Sequence, residues 1–142
     1  PEEGTLIVTV NDNDKETVIP ILRRFRDLGF EIMATQGTRD YLERLGVPAE
    51  RVYKVNEGQP NIVDHIITGD IVLLINTPLG KKSQYDDYAM RRAAITHKLP
   101  YLTTMSATSA ACDAIIALKS RQREVRSVQE RIASLSASTQ SI

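Results

Sequence analysis

Phe30-Glu31-Ile32-Met33-Ala34-Thr35-Gln36-Gly37-Thr38 decides how this chain folds. An apolar run of strand length ends in Thr-x-Gly-Thr and runs straight into a helix-forming stretch. Such a corner binds anions, because free backbone N–H groups and the positive end of a helix dipole face outward there. Gly37 lets the backbone turn sharply or approach a ligand closely. Thr38 either caps the helix or donates its hydroxyl to a phosphate, and the residue type fits both.

Working outward, the same kind of unit recurs. Upstream, Leu6-Ile7-Val8-Thr9-Val10 is a nearly continuous apolar run, as expected of a strand buried on both faces. Asn11-Asp12-Asn13-Asp14 forms a turn and helix-cap cluster. Val18, Ile21, Leu22, Phe25 and Leu28 then recur at helical spacing, and Gly29 closes that helix. Downstream, a helix carries Tyr41, Leu42 and Leu45 and stops at Gly46. Arg51 to Val55 is a short strand, and Asn56 to Pro60 is a loop. Asn61 and Asp64 are spaced to cap a short helix of Ile62, Val63, Ile66 and Ile67, ended by Gly69. Ile71 to Ile75 is the strongest buried-strand signal, breaking at Asn76-Thr77-Pro78-Leu79-Gly80. A helix over 84–97, a fifth strand over 100–104 and an alanine-rich helix over 108–118 follow.

Strand and helix alternate with short links, which predicts an α/β fold: a parallel sheet with helices on both faces. The length suits one domain, 1–142, with its core over about 4–118 and a C-terminal helix and tail over 119–142. In that tail Val125, Val128, Ile132 and Leu135 form a narrow apolar stripe for packing on the domain or on a partner. From Ser134 the polar end is expected to fray. The start, Pro1-Glu2-Glu3-Gly4, reads as a piece excised from a longer polypeptide.

The net charge of zero gives no argument for a nucleic-acid partner. No apolar run has membrane-spanning length. Cys112 has no second cysteine to pair with, which suits a reducing cytoplasm, and among alanines it reads as a buried structural thiol. His65 and His97 fall in predicted helices without ligand spacing, so neither a metal site nor a triad is expected.

Ligands of open parallel sheets bind beyond the carboxyl ends of the strands. Those ends carry Thr9 with Asn11 and Lys15; Thr35, Gly37 and Thr38; Lys54; Asn76 and Thr77, followed by Lys81 and Lys82; and Thr103 with Thr104. Singly, each lysine reads as a surface residue and each threonine as a cap. Together they form a rim of hydroxyl, amide and ammonium groups suited to phosphate oxygens, so a small phosphorylated ligand is expected. Asp12 and Asp14 read as caps, and Asp86 and Asp87 follow the Gly80 loop. No histidine joins the rim, which favours binding over acid–base catalysis. Neither a dinucleotide fingerprint nor a P-loop is present.

Asp14-Lys15-Glu16, Ala34-Thr35-Gln36-Gly37-Thr38, Lys54-Val55-Asn56-Glu57-Gly58, Ile75-Asn76-Thr77-Pro78, Arg91-Arg92-Ala93-Ala94 and Tyr101-Leu102-Thr103-Thr104 occur in this order. In order and spacing the chain resembles the C-terminal methylglyoxal-synthase-like domain of the carbamoyl-phosphate synthase large subunit. The resemblance implies a five-stranded parallel sheet in the order 3-2-1-4-5. It implies a non-catalytic allosteric domain that binds UMP or IMP and contributes to an ornithine site. No catalytic residue and no cofactor would then belong to this domain. The cytoplasmic parent would use ATP with Mg2+ or Mn2+ and K+, work with a small glutaminase subunit, form oligomers, and feed pyrimidine and arginine synthesis. Carried over residue by residue, phosphate contacts fall on Thr9, Lys15, Thr35, Gly37, Thr38, Lys54 and Asn76. Base and ribose contacts fall on Val55, Ile62, Lys81 and Asp86, and ornithine contacts on Tyr101 and Thr103. Pro78 stands where a phosphate-binding threonine is common, and Lys81 replaces a common arginine. The alternative is methylglyoxal synthase itself, a lyase of dihydroxyacetone phosphate. Its catalytic aspartates would fall where this chain has Gln59 and Thr77, which cannot act as general bases. The related cyclohydrolase domain of purine synthesis fits the Thr-x-Gly-Thr corner but fits the Asn76 and Arg91 stretches less well.

Overall fold

The computed structural model describes residues 4–77 and 84–140. Strands and helices alternate as β1 (Gly4–Thr9), α1 (Lys15–Asp27), β2 (Phe30–Ala34), α2 (Gln36–Arg44), β3 (Glu50–Arg51), α3 (Ile62–Thr68), β4 (Leu73–Asn76), α4 (Gln84–Thr96), β5 (Tyr101–Leu102) and α5 (Met105–Gln140). The strands form a parallel sheet in the order β3-β2-β1-β4-β5, as expected.

Alternation along β1 shows why its sequence is apolar throughout. Leu6, Val8 and Val10 join Val18, Leu22 and Phe25 of α1, Leu42 of α2, and Cys112 and Ile115 of α5 on one face. Ile7 points to the other face, where Leu74 meets Ile62 and Ile66 of α3 and Met90 of α4. A strand covered on both sides has no position left for a polar residue until it reaches the sheet edge. The heart of the larger cluster is an edge-to-face pair, Phe25 on Phe30, with ring centroids 5.3 Å apart.

The helix signals hold in detail at α3. Asn61 accepts from the Asp64 N–H at 3.2 Å, and Asp64 accepts from the Asn61 N–H at 2.9 Å, a complete capping box. Gly69 ends the helix at φ +78°, a left-handed conformation that glycine adopts without strain.

Several boundaries differ from expectation: β1 is Gly4–Thr9 rather than 6–10, and β4 is Leu73–Asn76 rather than 71–75. The third strand is Glu50–Arg51, not 51–55, because the chain turns away at Lys54. The Glu57 N–H bonds the Lys54 carbonyl, the Lys54 N–H bonds the Glu57 carboxylate, and Tyr53 retains only an isolated bridge to Asn61. The fifth strand is only Tyr101–Leu102, because Thr104 turns to cap α5: its hydroxyl accepts from the Ala107 N–H at 3.1 Å. Finally, the alanine-rich helix and the tail are one helix through Gln140, with no fraying at Ser134. No glycine or proline interrupts 105–140, so nothing stops the helix once started. Among the described residues no helix is long and apolar enough to cross a membrane.

Candidate functional site

The strand order makes a switch point between β1 and β4. From β1 the chain winds outward through β2 and β3, then returns to the other side of β1 through β4 and β5. Register aligns Thr9 with Asn76 across β1 and β4, and places Thr35 one residue beyond the Val8–Ala34 pair. Side chains widely separated in sequence therefore meet at one edge.

They meet as a buried polar layer. Thr9, Thr35, Thr38, Asn76 and Thr77 are all at most 3% exposed. The Thr35 hydroxyl donates to Thr9 Oγ1 at 3.1 Å. Thr38 Oγ1 accepts from the Val10 N–H at 3.4 Å, and Thr77 Oγ1 accepts from the Asn11 N–H at 2.9 Å. Thr38 is not the cap of α2: it sits inside the helix and, as an acceptor, ties that helix to the end of β1. The cap of α2 is Thr35, whose extended backbone (φ −65°, ψ 158°) opens the helix while its side chain turns to Thr9. The first N–H groups of α2 keep no side-chain acceptor from their own cap, which is the arrangement an anion would complete.

Gly37 lies in the first turn of α2. A Cβ there would stand 3.9 Å from Lys15 Nζ, so glycine's role is open access rather than an unusual turn. The Lys15 ammonium thereby sits beside the positive end of a helix, an unfavourable pairing relieved by Asp12, which accepts at 2.6 Å. The hydrogen bond and charge of Lys15 hold the exposed Asp12 carboxyl below the usual aspartate range. Asp12 was expected to cap α1. Asn11 does part of that work instead, accepting from the Asp14 N–H at 2.9 Å, while Asp14 occupies the cap position without a side-chain bond.

Asn76 is the hinge of the layer. Its amide donates to Asp87 Oδ1 at 2.9 Å and to the Tyr101 hydroxyl at 2.8 Å. Its Oδ1 is buried with no partner among the described residues. Both N–H groups are committed, so an incoming phosphate oxygen must take one from Asp87 or Tyr101. Arg91 lies over the Tyr101 ring, 6.0 Å from its centroid.

The other expected residues are distributed as follows. Lys54 and Val55 are half-buried in the loop after β3, where the Val55 carbonyl accepts from Asn61 Nδ2 at 3.2 Å. Ile62 belongs to the second core cluster with 1% exposure, so its side chain as placed packs the interior. Thr103 is half-buried just past β5. Lys81 and Pro78 lie outside the described residues, as does the side chain of Asp86. Sequence reasoning missed the partner of Asn76, Asp87. Its only signal was a carboxylate early in the helix after β4.

Comparison with known proteins agrees with the fold. The family model described as MGS-like domain matches residues 17–103. The chain belongs to the MGS-like domain family. It is 49% identical over 130 residues to the carbamoyl phosphate synthase large chain of Gemmatimonas aurantiaca, covering 92% of this chain and 12% of that protein. It is 48% identical over 122 residues to the carbamoyl phosphate synthase large chain, C-terminal section, of Methanopyrus kandleri, covering 85% of this chain and 22% of that protein. This chain therefore spans a small part of the relatives it matches. Among solved structures, methylglyoxal synthase from Elizabethkingia anophelis superposes with a TM-score of 0.61 at 21% identity, covering 78% of this chain and 76% of that one. That likeness concerns the fold.

Proposed function

We propose that this is the allosteric domain of a glutamine-hydrolysing carbamoyl-phosphate synthase large chain, and that the rim binds a nucleoside monophosphate such as UMP or IMP. The phosphate sits at the N-terminus of α2 between Lys15, Thr35, Thr38 and Lys54. Thr9, Gly37 and Asn76 complete its surroundings. By the family resemblance, Val55, Lys81 and Asp86 contact the base and ribose, and Tyr101 with Thr103 contacts ornithine. The parent, cytoplasmic and working with a small glutaminase subunit, makes carbamoyl phosphate for pyrimidine and arginine synthesis.

The observation that carries this reading is the pair of bonds made by Asn76. A phosphate oxygen reaching Asn76 competes with Tyr101 and Asp87 for the same amide hydrogens. Binding at the β1–β4 end is thereby felt at the β5 edge, without any large motion. A ligand regulates only through such a difference between two arrangements, and typical couplings are about 1–3 kcal/mol. Asp12 holds Lys15 and Asp87 accepts from Asn76, while Gln59 and Thr77 stand where a lyase's catalytic aspartates would fall. This supports binding rather than lyase chemistry.

The test uses the intact large chain with its small subunit. Carbamoyl phosphate formation is followed with and without UMP, IMP and ornithine in the wild type, Lys54→Ala and Tyr101→Phe. Lys54→Ala should lose the nucleotide effect. Tyr101→Phe should keep nucleotide binding while uncoupling it from ornithine. Turnover without effectors should stay at the wild-type value in both. An equal fall in turnover with no effector present would refute the assignment.

A further inference from the structure

The last half of α5 carries a second apolar seam that the domain does not cover. Met105, Thr108, Cys112 and Ile115 face the body of the protein, with Cys112 fully buried and its thiol pushed up by that burial. Arg24 of α1 pairs with Asp113, and Lys119 Nζ donates to the Leu28 carbonyl. From Arg123 to Leu135 every residue is exposed. Val125, Val128, Ile132 and Leu135 are 56%, 52%, 58% and 65% exposed, and Leu118 is 43% exposed. At 3.6 residues per turn this second stripe lies about 140° around the helix from the first. Among the described residues it does not pack back on its own domain.

Its spacing is that of a coiled coil. Leu118, Val125 and Ile132 occupy successive a positions, and Arg121, Val128 and Leu135 the d positions. The flanking g positions are Glu124 and Arg131, and the flanking e positions are Gln122 and Gln129. A parallel pair would oppose Arg121 to Arg121 in the seam and would pair Glu124 with an uncharged Gln129. An antiparallel pair instead sets each Arg121 against Ile132, with the two arginines about 16 Å apart along the axis. It also brings Glu124 of each copy to Arg131 of the other, twice by symmetry. Lys119 is tied to the Leu28 carbonyl, and Arg123, Arg126 and Glu130 point away from this seam, where solvent screens them.

We infer that α5 is a self-association element: two copies of this chain pair antiparallel through Leu118, Val125, Val128, Ile132 and Leu135, with reciprocal Glu124–Arg131 ion pairs. The segment beyond Gln122 rises about 27 Å, long enough for the two seams to overlap over their full apolar length. An isolated helix of that size is marginal in water, so a partner seam also explains why the sequence keeps it helical.

Sedimentation equilibrium of this 142-residue chain, from about 5 µM to about 500 µM, tests it in the range expected of a small interface. The expected result is a monomer–dimer equilibrium. Val128→Lys should weaken it at least tenfold with the circular dichroism spectrum of the domain retained, because Val128 is exposed and belongs to neither core cluster. Glu124→Arg and Arg131→Glu should each weaken it about tenfold, and the double reversal should restore it to within about threefold. A monomer at every concentration overturns the inference, as does a dimer unaffected by Val128→Lys. Failure of the double reversal to restore association overturns the antiparallel arrangement. None of these outcomes depends on the effector reading of the rim.

Discussion

The two ends of the β-sheet differ in how deeply their polar side chains are buried. At the amino ends of the strands lies an open cleft of about 600 Å³, bordered by Arg26, Glu31, Glu43, Glu50, His65 and Asp70. Its charged side chains are mostly exposed and solvated. At the carboxyl ends, Thr9, Thr35, Thr38, Asn76 and Thr77 are buried; Thr35 bonds Thr9, and the other three bond Val10, Asn11, Asp87 and Tyr101. An exposed charge costs little wherever it lands, whereas a buried polar group costs about 1–3 kcal/mol unless it is satisfied. The polar layer at the carboxyl end is therefore the costly one. The difference teaches that a site is marked by buried polar groups held by hydrogen bonds rather than by an open hollow lined with solvated charges.

The comparison can be broken most forcefully on stability. Asn76→Ala removes the two hydrogen bonds to Asp87 and the Tyr101 hydroxyl from a buried layer, so it should cost about 2–3 kcal/mol in urea unfolding. Glu31→Ala, at the opposite end, should stay within about 0.5 kcal/mol. Equal losses would erase the distinction. A subtler probe replaces both members of the buried hydroxyl pair. Thr9→Val with Thr35→Val should change stability by less than about 1 kcal/mol, since no partner is orphaned, yet weaken phosphate binding about tenfold. If stability falls steeply instead, the pair is structural in the first place. The smallest expected effect concerns Asp12, which competes with an anion for Lys15. Asp12→Asn should raise phosphate affinity about twofold, in keeping with a surface ion pair. A loss of affinity would mean that Asp12 positions Lys15 rather than restraining it.

The fold was legible because its signals are local and repeated. The apolar run of β1, the Asn61–Asp64 capping box and the Gly69 stop each state their structure within a few residues. The 3-2-1-4-5 order came from resemblance, since periodicity specifies strands but not their neighbours. Within the site, the positions of Thr9, Thr35 and Asn76 followed from the rule that sites lie at strand ends. Their partners did not. Asn76 meets Asp87 and Tyr101 across separations of 11 and 25 residues, and only packing of α4 and β5 against β4 creates those bonds. The Asp12–Lys15 pair was masked for the opposite reason: a carboxylate ahead of a helix has a ready local role as a cap. The apolar stripe of α5 was visible, but that it faces away from the domain depends on how the helix docks at Cys112 and Ile115.

Calorimetric titration of this chain with UMP, IMP and inorganic phosphate, repeated for Lys15→Ala and for Arg26→Ala, puts the two ends in direct competition. The account predicts that nucleotide binding falls at least tenfold in Lys15→Ala, consistent with loss of a charge-assisted contact, and is unchanged in Arg26→Ala. Binding that survives Lys15→Ala but disappears with Arg26→Ala would place the ligand at the amino ends of the strands and contradict it.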